Sequence, residues 1–226
     1  MIARYEIEVE KLKKRLLELS GLVEFQFTKS MQSFLDRNSL VAQDAIDTDK
    51  IIDQNEVELE EKCLKILALH QPVATDLRFV VAALKINNDL ERVGDLSVNI
   101  AQKALYLNEH PYYEIDFDFK HMSDITSGML NNSLKALVNG DIELARHVIQ
   151  QDDLVDELNR RMYKVVYDKV KSGSDQIEIL INYLSISKHL ERIADYTTNI
   201  CEDVIYMIEG SIVRHDPNKY DPPQEA

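Results

Sequence analysis

The sequence has no tryptophan, only six glycines and five prolines, and no long apolar run. So few chain breakers exclude a sandwich or barrel built from many short strands and tight turns. No stretch approaches the ~18–20 apolar residues of a membrane span, so no membrane insertion is expected. The opening residues Met1–Glu6 carry an acid within the first turns and lack the apolar core of a signal peptide, which leads to a cytoplasmic expectation. Cysteine is scarce too: Cys63 and Cys201 lie far apart, and neither has a CxxC partner. That excludes a disulfide framework or a thiolate zinc site and leaves two thiols expected to pack as small apolar groups.

Basic residues are also in deficit, with 26 Lys and Arg against 40 Asp and Glu and a formal charge of -14. Nucleic acid and anionic lipid both need clustered Lys and Arg, so neither is an expected partner. Such a surface suits cations or basic protein faces. What is present is helical: 45% hydrophobic and 29% charged residues, in a periodicity that runs almost unbroken.

Six long helices follow from the breaks. The first covers about 2–35, and Asn38 or Ser39 caps a second reaching about His70. Gln71-Pro72 makes a sharp turn, with Pro72 placed in the first turn of a third helix over about 73–107. The stretch Asn108–Tyr113 breaks the pattern. A fourth helix spans about 117–138, Asn139-Gly140-Asp141 caps and restarts the chain, and a fifth spans about 142–170. Lys171–Ser174 turns into a sixth over about 175–208, closed by Gly210.

The two halves repeat. Setting 84–107 against 184–207 aligns identical residues at 84, 86, 90, 91, 92, 95, 99, 100 and 106, nine of 24 positions. Typical residue usage would give roughly one or two. Asp49–Asp53 aligns with Asp152–Asp156 at a slightly larger offset. The expected fold is therefore all-α, two tandem pseudo-symmetric three-helix bundles, with residues 1–108 forming the first, 114–210 the second, and 211–226 a tail.

Each half carries two acid pairs spaced i, i+4, which share one helix face. They are Asp49/Asp53 with Glu91/Asp95, and Asp152/Asp156 with Glu191/Asp195. Antiparallel neighbours bring residues of constant number-sum to one level. About the turn at Pro72 this sets Asp53 against Glu91 and Asp49 against Asp95. About Gly173-Ser174 it sets Asp156 against Glu191 and Asp152 against Asp195. The acids fall on seams that begin apolar, such as Leu77-Val81-Leu84 and Ile177-Ile181-Leu184, so they are expected to interrupt packing faces. Four carboxylates at one level repel unless a cation compensates, and hard oxygen donors suit Mg²⁺, Mn²⁺, Ca²⁺ or iron, as one ion or several. Asn99 and Asn199, one turn further on, can add an oxygen ligand or a supporting hydrogen bond.

Two motif sets carry a family resemblance. One is Gln71–Arg78 with Leu84–Asp95 and Asn99–Ala101; the other is Ile186–Asp195 with Thr198–Ile200, followed by Met207–His215. Over nearly the whole chain these resemble the PhoU family of phosphate-transport regulators. The resemblance implies two three-helix bundles, iron or zinc clusters at the four acid pairs, and often a homodimer. It also implies negative regulation of phosphate uptake and phosphate-starvation signalling, by contact with the ATPase subunit of a phosphate ABC transporter and with a two-component sensor kinase. The second half departs from the first: Asn159, Tyr163 and Lys188 stand where Glu56, Glu60 and Asn88 stand, which implies fewer or weaker ions there. Two other readings compete: an accessory protein of another phosphate transporter, and a carboxylate-bridged di-metal oxidase. The oxidase needs Glu-x-x-His pairs in known helical bundles, and the sequence has none, so no enzyme activity is expected.

Overall fold

The computed structural model describes residues 2–213; of the tail expected at 211–226, residues 214 onward lie outside the described residues. Six helices follow in order: α1 (Ile2–Leu35), α2 (Ser39–His70), α3 (Ala74–Asn108), α4 (Phe119–Asn139), α5 (Ile142–Lys171) and α6 (Ile177–Glu209). Among the described residues there is no strand, and no helix is long and apolar enough to cross a membrane.

Helix ends follow local chemistry. The Asn38 side chain accepts hydrogen bonds from the backbone N–H groups of Leu40 and Val41, satisfying two otherwise open donors of α2. Asn38→Ala should cost about 1 kcal/mol in denaturant unfolding. Asp118 and Asp141 cap α4 and α5 in the same way. Gly140 (φ 63°) and Gly210 (φ 76°) close α4 and α6 in the left-handed conformation that glycine adopts without steric cost. Pro72 is not in the first turn of α3, as the sequence suggests. Gln71 takes the left-handed C-terminal position of α2, and α3 starts only after Val73. A second clamp comes from Arg37, whose guanidinium donates to the carbonyls of Leu107, Asn108 and His110. One side chain thus ties the α1–α2 turn to the end of α3, where helix carbonyls lack partners and the helix dipole favours a cation.

Helices α1, α2 and α3 pack on one another, as do α4, α5 and α6. The two bundles are not separate cores. α3 lies against α6 in the most extensive helix contact of the molecule, and α1 touches α4. One continuous apolar cluster runs from Leu12, Leu19 and Phe27 through Ile86, Leu90 and Ile100 to Met129, Ile186, Leu190 and Ile200. Across the α3–α6 contact, Lys85 donates to Asp203 at 2.9 Å, and Asp203 is only 1% exposed.

The core seam differs from the acid-bearing one. Ala83, Ile86, Leu90, Val93, Ser97 and Ile100 are buried in α3, as are Tyr183, Ile186, Leu190, Ile193, Thr197 and Ile200 in α6. Leu77, Ile177 and Ile181 on the acid seams are exposed. On α3 and α6 the acids therefore occupy the shoulder of the packing face rather than its centre, which corrects the expectation there, whereas the acid-bearing seams of α2 and α5 run on through buried Ala42, Cys63, Ala145 and Val166. A carboxylate at the centre would be fully desolvated; on the shoulder it keeps an opening to water.

Candidate metal centres

In the first half, Asp49 and Asp53 from α2 meet Glu91 and Asp95 from α3. Asp49 feels the like charges of Asp53 and Asp95, and Glu91 those of Asp95, Glu56 and Asp53. Both predicted cross-helix pairs, Asp49 with Asp95 and Asp53 with Glu91, are thus neighbours. Burial is the main cause raising the pKa of Asp49 and Glu91, and their acidic neighbours add to it.

Two buried amides support this group. Gln26 of α1, fully buried, donates from Nε2 to the Ala45 carbonyl at 3.2 Å and to Asp49 Oδ1 at 3.0 Å. The second bond favours the charged form of Asp49 and fixes where that carboxylate points. Gly94 leaves the room for it, since a Cβ there would lie 3.2 Å from Gln26 Oε1. Asn87 of α3 donates from Nδ2 to the carbonyl and the side chain of Glu56, at 3.0 and 2.9 Å. Burial, Glu60 and Asp53 all raise the Glu56 pKa, and the Asn87 bond opposes them. Sequence reading missed Gln26. Its signal was present: Leu19, Val23, Gln26 and Ser30 continue one helical spacing, so a glutamine stands where an apolar residue would pack.

The second half repeats the arrangement with tighter burial. Asp152 lies among Asp195, Asp156, Asp153 and Glu191, and burial followed by these charges pushes its pKa up to about 7. Asp195 is pushed up to about 6 by burial, then by Glu191 and Asp156, against the opposing charges of Lys188 and Arg192. Asp195 is exposed by surface area, so the like charges of Glu191 and Asp156 are the firmer of the two causes for the upward direction. Asp152 and Asp195, a predicted pair, are therefore neighbours, and Asp156 is close to both. Where Asn87 holds Glu56 in the first half, Ser187 donates to Asn159 at 2.9 Å in the second. The position is kept, but the carboxylate is gone. Tyr163, in the place of Glu60, is exposed.

Two carboxylate oxygens here, Asp152 Oδ1 and Glu191 Oε2, are buried without a hydrogen-bond partner. Buried acceptors ordinarily find a partner, so an unpaired carboxylate oxygen in an acidic cluster is what a cation would satisfy. Among the described residues, however, no group of three or more His, Cys, Asp or Glu is arranged to hold a metal ion in this conformation. The acids are neighbours in charge across each helix pair, not a closed ligand shell. Asn99 and Asn199 are half-buried, one turn beyond Asp95 and Asp195. Cys63 and Cys201 are buried free thiols, and burial raises both pKa values, so they pack as apolar groups.

Known proteins share this architecture. Residues 16–104 and 119–204 each match the PhoU domain. The chain is 33% identical to phosphate-specific transport system accessory protein PhoU homolog 1 of Thermotoga maritima, over 91% of this chain and 89% of that protein. It is 35% identical to the PhoU homolog of Aquifex aeolicus, over 92% of this chain and 94% of that protein. The crystal structure of PhoU from Pseudomonas aeruginosa matches with a TM-score of 0.88 and 31% identity, covering 92% of this chain and 100% of that one. The phosphate transport system regulatory protein PhoU from Streptococcus pneumoniae gives 0.81 and 30%, covering 92% and 99%. Two matched domains, relatives aligned almost end to end, and the same helical architecture lead to one conclusion: the chain belongs to the PhoU family.

Proposed function

We propose that this protein is a metal-binding accessory protein of phosphate transport that represses phosphate uptake and phosphate-starvation signalling by protein contact. The partners are the ATPase subunit of a phosphate ABC transporter and a two-component sensor kinase, met in the cytoplasm by a homodimer. The relatives' names, phosphate-specific transport system accessory protein, support the transport role. The acid quartets support metal binding, and the single observation that carries it is the pair of buried, unpartnered oxygens on Asp152 and Glu191.

A bound hard cation would supply concentrated positive charge, neutralising the carboxylates on the shoulder of each bundle. The chain's own residues prepare for that charge. Asp49, Asp53, Glu91 and Asp95 would hold it in the first half, with Gln26 fixing Asp49. Asp152, Asp156, Glu191 and Asp195 would do so in the second. Asn99 and Asn199 stand one turn away as additional oxygen donors. Because α2, α3, α5 and α6 supply two acids each, an ion shared across α2–α3 or α5–α6 would stiffen the angle between the paired helices. No step of this role needs bond chemistry, in keeping with an accessory function.

The test has two arms. Elemental analysis of the purified protein, with Mn²⁺ titration after chelation, should find metal that Asp152→Asn with Glu91→Gln removes. A pull-down against the transporter ATPase and the sensor kinase, in phosphate-rich and phosphate-poor conditions, should capture at least one of them. Binding to neither would overturn the regulatory reading, and capture by the ATPase of a different phosphate transporter would redirect it there.

A further inference from the structure

The two halves differ at one seam position that bears directly on how a cation enters. On α6, Lys188 stands one turn before Glu191 and donates from Nζ to Glu191 Oε1 at 2.5 Å. The Glu191 side chain is only 13% exposed, and its other oxygen has no partner. Lys188 is also one of the two cations that offset the charge on Asp195. Its counterpart on α3 is Asn88, an exposed neutral residue. The first half has a cation of its own, Arg92, but held differently. Arg92 lies on the outer, 52% exposed side, with its nitrogens 3.5 Å from Glu91 and from Asp95. That is a loose surface pairing of the kind worth little. Lys188 is at full contact with a carboxylate that is mostly shielded from water.

We propose that Lys188 is a tethered counter-ion that sets the metal affinity of the second centre: its ammonium on Glu191 Oε1 competes by charge with a cation at the open oxygens of Asp152 and Glu191. The proposal rests on the metal-binding reading above. An ammonium on a flexible four-carbon stem supplies one positive charge in place of two or more, and it reaches only the outer oxygen. It partly relieves the repulsion among Asp152, Asp156, Glu191 and Asp195 in the metal-free protein. It leaves the two buried oxygens open. A divalent ion at those oxygens meets the repulsion of the nearby ammonium, which can swing away into solvent because the Lys188 side chain is 44% exposed. The first centre carries no such competitor on its seam and keeps the extra acids Glu56 and Glu60 beside it. The centres should therefore fill in order, the first before the second.

Mn²⁺ titration of the full chain by calorimetry, with stoichiometry from native mass spectrometry, reads this directly. Wild-type protein should show a strong class, removed by Glu91→Gln, and a weak class, removed by Asp152→Asn. Lys188→Asn, which installs the first half's residue, should tighten the weak class about tenfold and leave the strong class unchanged. A tenfold change corresponds to about 1.4 kcal/mol. Lys188→Met, which keeps the stem, should do the same. The reciprocal Asn88→Lys should weaken the strong class by a similar factor. In metal-free protein, Lys188→Asn should lower the melting temperature, because the repulsion loses its internal relief. Weak-class affinity unchanged in both Lys188 variants overturns the counter-ion role while leaving the metal reading intact. Absence of Mn²⁺ binding in wild type and in every variant overturns the metal reading itself, and the counter-ion role falls with it.

Discussion

Asp152→Asn should stabilise the metal-free protein and destabilise the metal-loaded one. In the metal-free chain, Asp152 is a carboxylate among four like charges, with one oxygen buried and unpaired. Removing its charge relieves that repulsion, an improvement of roughly 0.5–2 kcal/mol by analogy with surface-charge optimisation. With metal at a hundred times its dissociation constant, one site adds about 2.7 kcal/mol to the wild type. The variant forfeits most of that, so the two stability curves cross as metal is added. Thermal melts with chelator and with Mn²⁺ would show it. A variant less stable in both conditions would mean that Asp152 serves packing alone.

The same group predicts the pH response of metal-free protein. Asp152 rises from its ordinary 3.8 to about 7 on folding, and Asp195 to about 6. A raised folded-state value means that the folded chain binds more protons than the unfolded one. These two groups therefore favour folding fully below about pH 4, and that contribution is lost as pH rises through 6 and 7. Asp152→Asn should flatten much of this decline.

The second large effect concerns the core. Leu190→Ala should cost about 2–5 kcal/mol, because Leu190 is fully buried and its removal leaves a cavity. For a chain of this size the melting temperature should fall on the order of 10 °C. The form of the transition is as informative as its midpoint. Ile86, Leu90 and Ile100 of the first bundle belong to one cluster with Ile186, Leu190 and Ile200 of the second. A cavity in the second bundle should therefore lower the melting of the first as well, in one cooperative transition. Two separate calorimetric peaks, with only one displaced, would show that the bundles unfold independently.

Much of this was legible from residue order alone. Asp49 with Asp95, Asp53 with Glu91 and Asp152 with Asp195 followed from number-sums about two turns, because antiparallel helices joined tightly leave little freedom of register. Helix ends followed from Asn38, Asp141, Gly140 and Gly210, where local hydrogen bonding and backbone sterics decide. What was not legible depended on three-dimensional choice. Two seams on α3 were equally regular, and only packing against α1 and α6 made the one through Leu90 the core. Gln26 acts on Asp49 from a third helix, a relation no turn symmetry encodes. The contact between Lys188 and Glu191 was compatible with the i, i+3 spacing, but whether a long side chain folds inward or extends into water is not a matter of spacing.

The ion pair between Lys85 and Asp203 has a consequence for assembly errors. In the repeat, Lys85 corresponds to Ser185 and Asp203 to Lys103, so the pair has no mirror image across the pseudo-twofold axis. A mistaken union of two first halves, each offering α3 to the other, would set Lys85 against Lys103 and bring like charges together. Two second halves would leave Asp203 facing Ser185 with no cation. Only a first half against a second satisfies both sides. A duplicated chain risks exchanging its halves between molecules, and this one carries a polarity key that makes its own other half the better match.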